Sequence, residues 1–127
     1  MAKKFTFRGM EIEEVKRLNL EQFMKLIPTK LRRSMKRMAV KMRKFIEKLR
    51  KTDPKKPMKT HLREMVIIPE MLERRFQVYN GKDWVDFMVT PQMLGRRLGE
   101  YSITIKMVKH SGPGIGATRG SKSVELK

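Results

Sequence analysis

Between Lys30 and Lys51, eleven bases and a single acid, Glu47, are threaded through an apolar series of Leu31, Met35, Met38, Met42, Phe45 and Leu49. Steps of four, three, four, three and four residues are the period of an α-helix, and Ala39 and Ile46 widen the stripe. Pro28 and Thr29 mark its start, and the run from Thr52 to Pro57 ends it, so one continuous helix is expected here. With only about two to three heptads, the seam fits a stripe facing the chain's own core better than a dimer zipper. The opposite face is the stronger constraint. Solvated helix faces mix signs, whereas Lys30, Arg33, Lys36, Arg37, Lys41, Lys44, Lys48 and Lys51 form a face of one sign, which suits contact with phosphates.

That excess is local. Of 127 residues, 31 are Lys or Arg and 13 Asp or Glu, for a formal net charge of +18. Residues 30–63 hold fifteen bases against Glu47 and Asp53, whereas 64–105 hold five bases against six acids. The expected organisation is a basic helical extension (1–58), an α+β core (59–105) and a basic, Gly-containing tail (106–127). A chain this cationic repels itself unless a polyanion neutralises it, which makes nucleic acid the leading partner. No run of ~18 apolar residues predicts a membrane span, and the N-terminus does not read as a secretory signal. Zero cysteines exclude disulfides and thiolate metal sites.

Ahead of the basic helix, Ile12, Val15 and Leu18, then Leu20, Phe23, Met24 and Ile27, predict two short helices broken near Asn19. The twelve methionines, helically spaced, read as core filler. Past residue 64 the period changes. Met65 to Ile68 is a short apolar run, and 76–79 and 84–89 flank Asn80-Gly81, a hairpin signal of the type I′ kind. Thr90-Pro91 reads as a cap and first-turn proline, opening a short helix through Met93, Leu94 and Leu98. Ile68-Pro69-Glu70-Met71-Leu72 and Thr90-Pro91-Gln92-Met93-Leu94 echo each other 22 residues apart, as two strand-to-helix turns built on one proline device. Residues 103–108 could form an edge strand, and the tail beyond them should order only against a partner. The expected fold is α+β: N-terminal helices packed on a small antiparallel, hairpin-centred sheet, with a flexible basic C-terminal tail.

No catalytic constellation emerges. His61 and His110 lie in separate segments, and Asp83 and Asp86, an odd number of residues apart, would face opposite sides of a strand. The glycines at 112, 114 and 116 lack the Lys-Ser or Lys-Thr of a phosphate-cradling loop. Neither cofactor nor metal is expected, and the chain does not read as an enzyme. Trp84, Phe87 and Tyr101 have faces that can stack on bases, but Trp84 and Phe87, in the hairpin, are expected to cover the helices instead.

Several linked motifs carry a resemblance. Asn80-Gly81-Lys82, Val89, Leu94-Gly95, Leu98-Gly99-Glu100-Tyr101 and Thr104, at these spacings, resemble the signature of the universal small-subunit ribosomal protein nineteen family. Lys59-Thr60-His61-Leu62-Arg63, Pro69-Glu70-Met71, and Val108-Lys109-His110 followed by Pro113-Gly114-Ile115-Gly116-Ala117-Thr118 resemble its archaeal and eukaryotic branch, as does the basic N-terminal extension. Two positions depart from the pattern: Glu73 stands where the family usually has glycine, and Arg96 where it usually has histidine. The resemblance implies a cytoplasmic, ribosomal protein of the small-subunit head. It would bind small-subunit ribosomal RNA, lie beside a member of the small-subunit ribosomal protein thirteen family, and send its tail toward the tRNA sites. Candidate RNA contacts are Lys36, Arg37, Lys44 and Lys48 on the helix, then Lys59, His61, Arg63, Lys82, Arg96 and Arg97, and, in the tail, Lys106, Lys109, His110, Arg119 and Lys122. The competing reading is a basic helical DNA-binding or nucleoid- or chromatin-associated protein; a membrane-surface helix would need a bulkier apolar face.

Overall fold

The computed structural model describes residues 4–112 and 114. Its first elements are a two-stranded hairpin, β1 (Thr6–Phe7) and β2 (Met10–Glu11), and two short helices, α1 (Ile12–Arg17) and α2 (Leu20–Leu26). The interruption at Asn19 has a local cause. The Asn19 side chain accepts from the Leu20 amide at 2.7 Å while Gln22 accepts from the Asn19 amide at 3.1 Å, a reciprocal cap that starts a new helix.

The expected single basic helix is two. Helix α3 spans Thr29–Arg37 and α4 spans Ala39–Lys51, separated by Met38 at φ −96°, ψ 17°. The hydrogen bonds on either side persist, Met38 N–H to Ser34 C=O at 3.0 Å and Met42 N–H to Met38 C=O at 2.9 Å. One residue leaving helical geometry does not interrupt the apolar repeat, so the period cannot reveal the bend. The stripe faces the core, with Met35, Met42, Phe45, Ile46 and Leu49 buried.

The second sheet has the order β3 (Met58–Thr60), β4 (Arg75–Tyr79), β5 (Trp84–Met88). The β4–β5 pair is the expected antiparallel hairpin, with Phe76 opposite Phe87 and Tyr79 opposite Trp84. Strand β3 adds a parallel neighbour, placing Lys59 opposite Gln77. Phe76 and Val78 point inward, and the Phe76 ring stacks on Phe45 of α4 at 6.3 Å, joining helix to sheet. The buried cluster is continuous from Val15 to Leu98.

Three corrections concern turns and the segment after the core. The loop 80–83 is not a two-residue type I′ turn: Gly81 alone has positive φ (103°), and the Asn80 carboxamide accepts from the Lys82 and Asp83 amides at 2.9 and 2.7 Å. The turn with two positive φ values is Arg8-Gly9, at 52° and 83°, between the paired Phe7 and Met10. After Thr90 there is no continuous helix but two separate 3₁₀ turns, Pro91–Met93 and Leu98–Tyr101, because Gly95 at φ 73° turns the chain away. Residues 103–108 form no strand; Ile103, Ile105, Met107 and Val108 are exposed.

The 22-residue echo is structural. Each copy is a 3₁₀ turn with proline at its start, Pro69–Met71 and Pro91–Met93, and each ends at a left-handed residue, Glu73 (φ 62°) and Gly95 (φ 73°). Glu73 therefore adopts a backbone that favours glycine, at a cost of about 1 kcal/mol. Its amide donates to the Val89 carbonyl at 3.0 Å, and its carboxylate meets Lys16 of α1 at 2.7 Å.

Candidate nucleic-acid interface

The α3–α4 pair places Lys30, Arg33, Arg37, Lys41, Lys44 and Lys48 at intervals of three or four residues, one side of a helical surface continuing across Met38. Lys36 falls outside this series and borders a different concavity with Glu21, Lys25 and Arg32. Lys41, Lys44 and Lys48 form one wall of a shallow groove of about 320 Å³, and Lys59 and His61, from β3 and the residue after it, form the other. No acid lines this groove. Segments distant in sequence thus bring four lysines and a histidine together.

An aromatic platform adjoins the groove. The His61 ring lies 5.0 Å from Tyr79 and 4.9 Å from Trp84, the Tyr79 and Trp84 rings are 5.3 Å apart, and Lys59 Nζ sits 5.5 Å from the Trp84 centroid. Trp84 is 38% exposed, so it does not cover the helices. Its strand parity explains why: Trp84, Asp86 and Met88 occupy one face of β5, and Phe87, on the other, packs toward Tyr101 at 5.5 Å. Asp86, two residues on, was the signal that this is the solvent face.

Several arginines have internal uses instead. Arg63 donates from Nη1 to the Tyr79 carbonyl and Ser102 Oγ, both at 2.9 Å, and from Nη2 to the Gly99 and Ser102 carbonyls at 3.0 and 2.6 Å. Its guanidinium ties the end of β4 to the last 3₁₀ turn. Arg74 donates to the Leu49 and Thr52 carbonyls at 2.6 and 3.3 Å, capping α4, and Arg32 does the same for α2 at Met24 and Lys25, at 2.8 and 3.0 Å. Neither charge pattern nor period separates such arginines from exposed ones, because for Arg63 and Arg74 the acceptors are carbonyls 16 to 39 residues away.

The remaining candidates are dispersed. Lys82 is exposed in the β4–β5 loop, Arg96 is exposed beside Tyr101, and Arg97 reaches α3. Burial pushes the Tyr101 phenol above its usual pKa, and the Arg96 charge opposes that shift. Lys106, Lys109 and His110 are exposed in the segment after the core, and Arg119 and Lys122 lie outside the described residues. Among the described residues no group of three or more acids and histidines could hold a metal ion, and no helix is long and apolar enough to cross a membrane.

The sequence model of ribosomal protein S19 matches residues 32–110, a span running from α3 through β5 to the segment beyond the last 3₁₀ turn. The chain belongs to the ribosomal protein S19 family. Relatives named small ribosomal subunit protein uS19 from Metallosphaera sedula and Saccharolobus solfataricus are 46% and 45% identical to it, each alignment covering 98% of this chain and 93% of the relative. The one from Picrophilus torridus is 41% identical over 99% of this chain and 83% of its own. These alignments span nearly the whole chain and so include the segment that forms α1 and α2 here. S19 membership makes it a structural ribosomal protein of the cytoplasm, not an enzyme.

Proposed function

We propose that this chain is a constituent of the small ribosomal subunit head that binds small-subunit ribosomal RNA through the α3–α4 basic surface and the adjoining aromatic platform. The observation that carries the reading is the convergence of Lys41, Lys44, Lys48, Lys59 and His61 on one acid-free groove beside a half-exposed tryptophan. Structured RNA offers phosphates and sugars throughout and unstacked bases at loops and bulges; lysines answer the first and an aromatic face the second. In this division of labour the extension 1–58 supplies most phosphate contacts, 59–105 holds them in place, and 106–127 reaches outward. The exposed Ile103, Ile105, Met107 and Val108 support a partner covering the start of that tail, and the family resemblance implies a protein-thirteen neighbour beside the chain and a tail directed toward the tRNA sites.

Binding to small-subunit RNA fragments against double-stranded DNA of equal length tests the reading. Preference for the structured RNA supports it, and equal or stronger DNA binding would support the nucleoid alternative. For the tail, truncation after Met107 leaves the core folded and the protein incorporated into subunits, while tRNA binding weakens. Loss of incorporation would make the tail an anchor, and unaffected translation would remove the tRNA assignment.

A further inference from the structure

A second concavity, of about 380 Å³, lies between α3 and the loop before the last 3₁₀ turn, lined by Thr29, Lys30, Arg33, Ser34, Arg37 and Arg97. Four of the six are cations and none is an acid. Arg97 enters from the loop before the last 3₁₀ turn, and its backbone is pinned: Arg97 bridges Val66, the Leu98 amide donates to the Met65 carbonyl at 2.9 Å, and the Ile67 amide to the Arg96 carbonyl at 2.8 Å. Its side chain donates from Nη2 to Ser34 Oγ at 3.1 Å, and Ser34 Oγ in turn donates to the Lys30 carbonyl at 3.2 Å. Arg97 Nε is sealed from solvent with no acceptor, and none of the ion pairs among the described residues includes Arg97.

A partly desolvated guanidinium held among three like charges is unfavourable in the free protein and becomes favourable when an anion enters. We propose that this concavity is a discrete phosphate site, taking one oxyanion of the RNA backbone between Arg97 and the Lys30, Arg33 and Arg37 side of α3. The volume sits at the small end of ligand sites, roughly 300–1,000 Å³, and the walls are cationic, so a compact anion fits and an apolar ligand does not. Arg97 is fixed before binding, so little side-chain freedom is lost on capture, and its planar fork suits a tetrahedral oxyanion. The RNA as source rests on the function proposed above; the oxyanion site does not.

The full-length chain, Arg97→Gln and, as a charge-matched control outside the concavity, Lys55→Gln are melted in sodium chloride and in inorganic phosphate at equal ionic strength. Phosphate raises the wild-type and K55Q melting temperatures alike and raises that of R97Q distinctly less. An R97Q response equal to that of K55Q overturns the site, as does an R97Q melting temperature lowered equally in both salts, which would make Arg97 a packing residue. Arg33→Gln, on the exposed helix surface, repeats the test if R97Q does not fold. Salt-dependent binding to small-subunit RNA identifies the source: R97Q lowers the slope of log K against log salt by about 0.7–0.9, one phosphate contact. An unchanged slope with lost phosphate stabilisation overturns the RNA backbone as occupant, and wild-type protein that binds no RNA overturns the proposed function while the melting comparison still decides the site.

Discussion

Helices α3 and α4 and the sheet with its flanking turns both contain closely spaced cations, and, apart from Arg32, which caps α2, and Arg50, which pairs with Glu70 at 2.8 Å, the two regions use them in opposite ways. On α3–α4, Arg37, Lys41, Lys44 and Lys48 stand exposed with Glu47 as the only acid between Lys30 and Lys51. Around the sheet, Arg63 and Arg74 are half-buried and aimed at carbonyls, while Arg75 pairs with Asp86 at 3.2 Å. A cation among unsatisfied carbonyls stabilises the fold, and a cation among other cations is available to a polyanion. Charge alone does not distinguish the two; the neighbouring acceptors do.

Arg63→Ala probes the structural side of that contrast and carries the largest expected effect. It strands the Gly99, Ser102 and Tyr79 carbonyls, and hydrogen bonds to a charged group contribute about 1.5–3 kcal/mol each, not additively, so a loss of roughly 3 kcal/mol in urea unfolding is expected. A loss under about 1 kcal/mol would place Arg63 with the exposed cations. The converse variant, with Arg37, Lys41, Lys44 and Lys48 all changed to Gln, should alter stability little, while its RNA-binding salt slope falls by about 3, from four contacts of roughly 0.7–0.9 each. An unchanged slope would show that this surface is merely solvated.

Trp84 sharpens the comparison, since it belongs to the sheet yet packs beside His61 and Lys59 of the groove. As the sole tryptophan it reports on that spot directly: RNA binding should quench its fluorescence, and Trp84→Ala should weaken binding by about 1–3 kcal/mol, the range for one base stacked on an aromatic. Unquenched fluorescence at saturating RNA would confine the interface to the helices. The smallest effect belongs to Glu73→Gly, which relieves left-handed strain of about 1 kcal/mol but removes an exposed ion pair with Lys16 contributing at most about that much. Thermal denaturation should show a stability change between zero and a gain of about 1 kcal/mol; a clear fall would mean that Lys16–Glu73 does more to hold α1 than an exposed pair does.

What consecutive residues specify was legible in the amino-acid sequence itself. The helical period of 31–49, the restart at Asn19, the β4–β5 hairpin, the proline-led turns at 69 and 91 and the one-sign helix surface all follow from local geometry or local charge, and the S19 motifs are linear strings. Tertiary structure alone decided the rest, because it depends on partners far away in the chain. Strand β3 exists only by pairing in parallel with β4, which begins fifteen residues after β3 ends. Trp84 faces outward because the β4–β5 register assigns Phe76 and Val78 to the core. Arg63, Arg74 and Arg97 look like their neighbours in sequence, and only the fold brings carbonyls to the first two and leaves the third facing a concavity of like charges. A hydrogen-bond acceptor contributed by a residue tens of positions away leaves no trace in the local pattern, so composition announces how much positive charge the chain carries and folding determines which of it remains available.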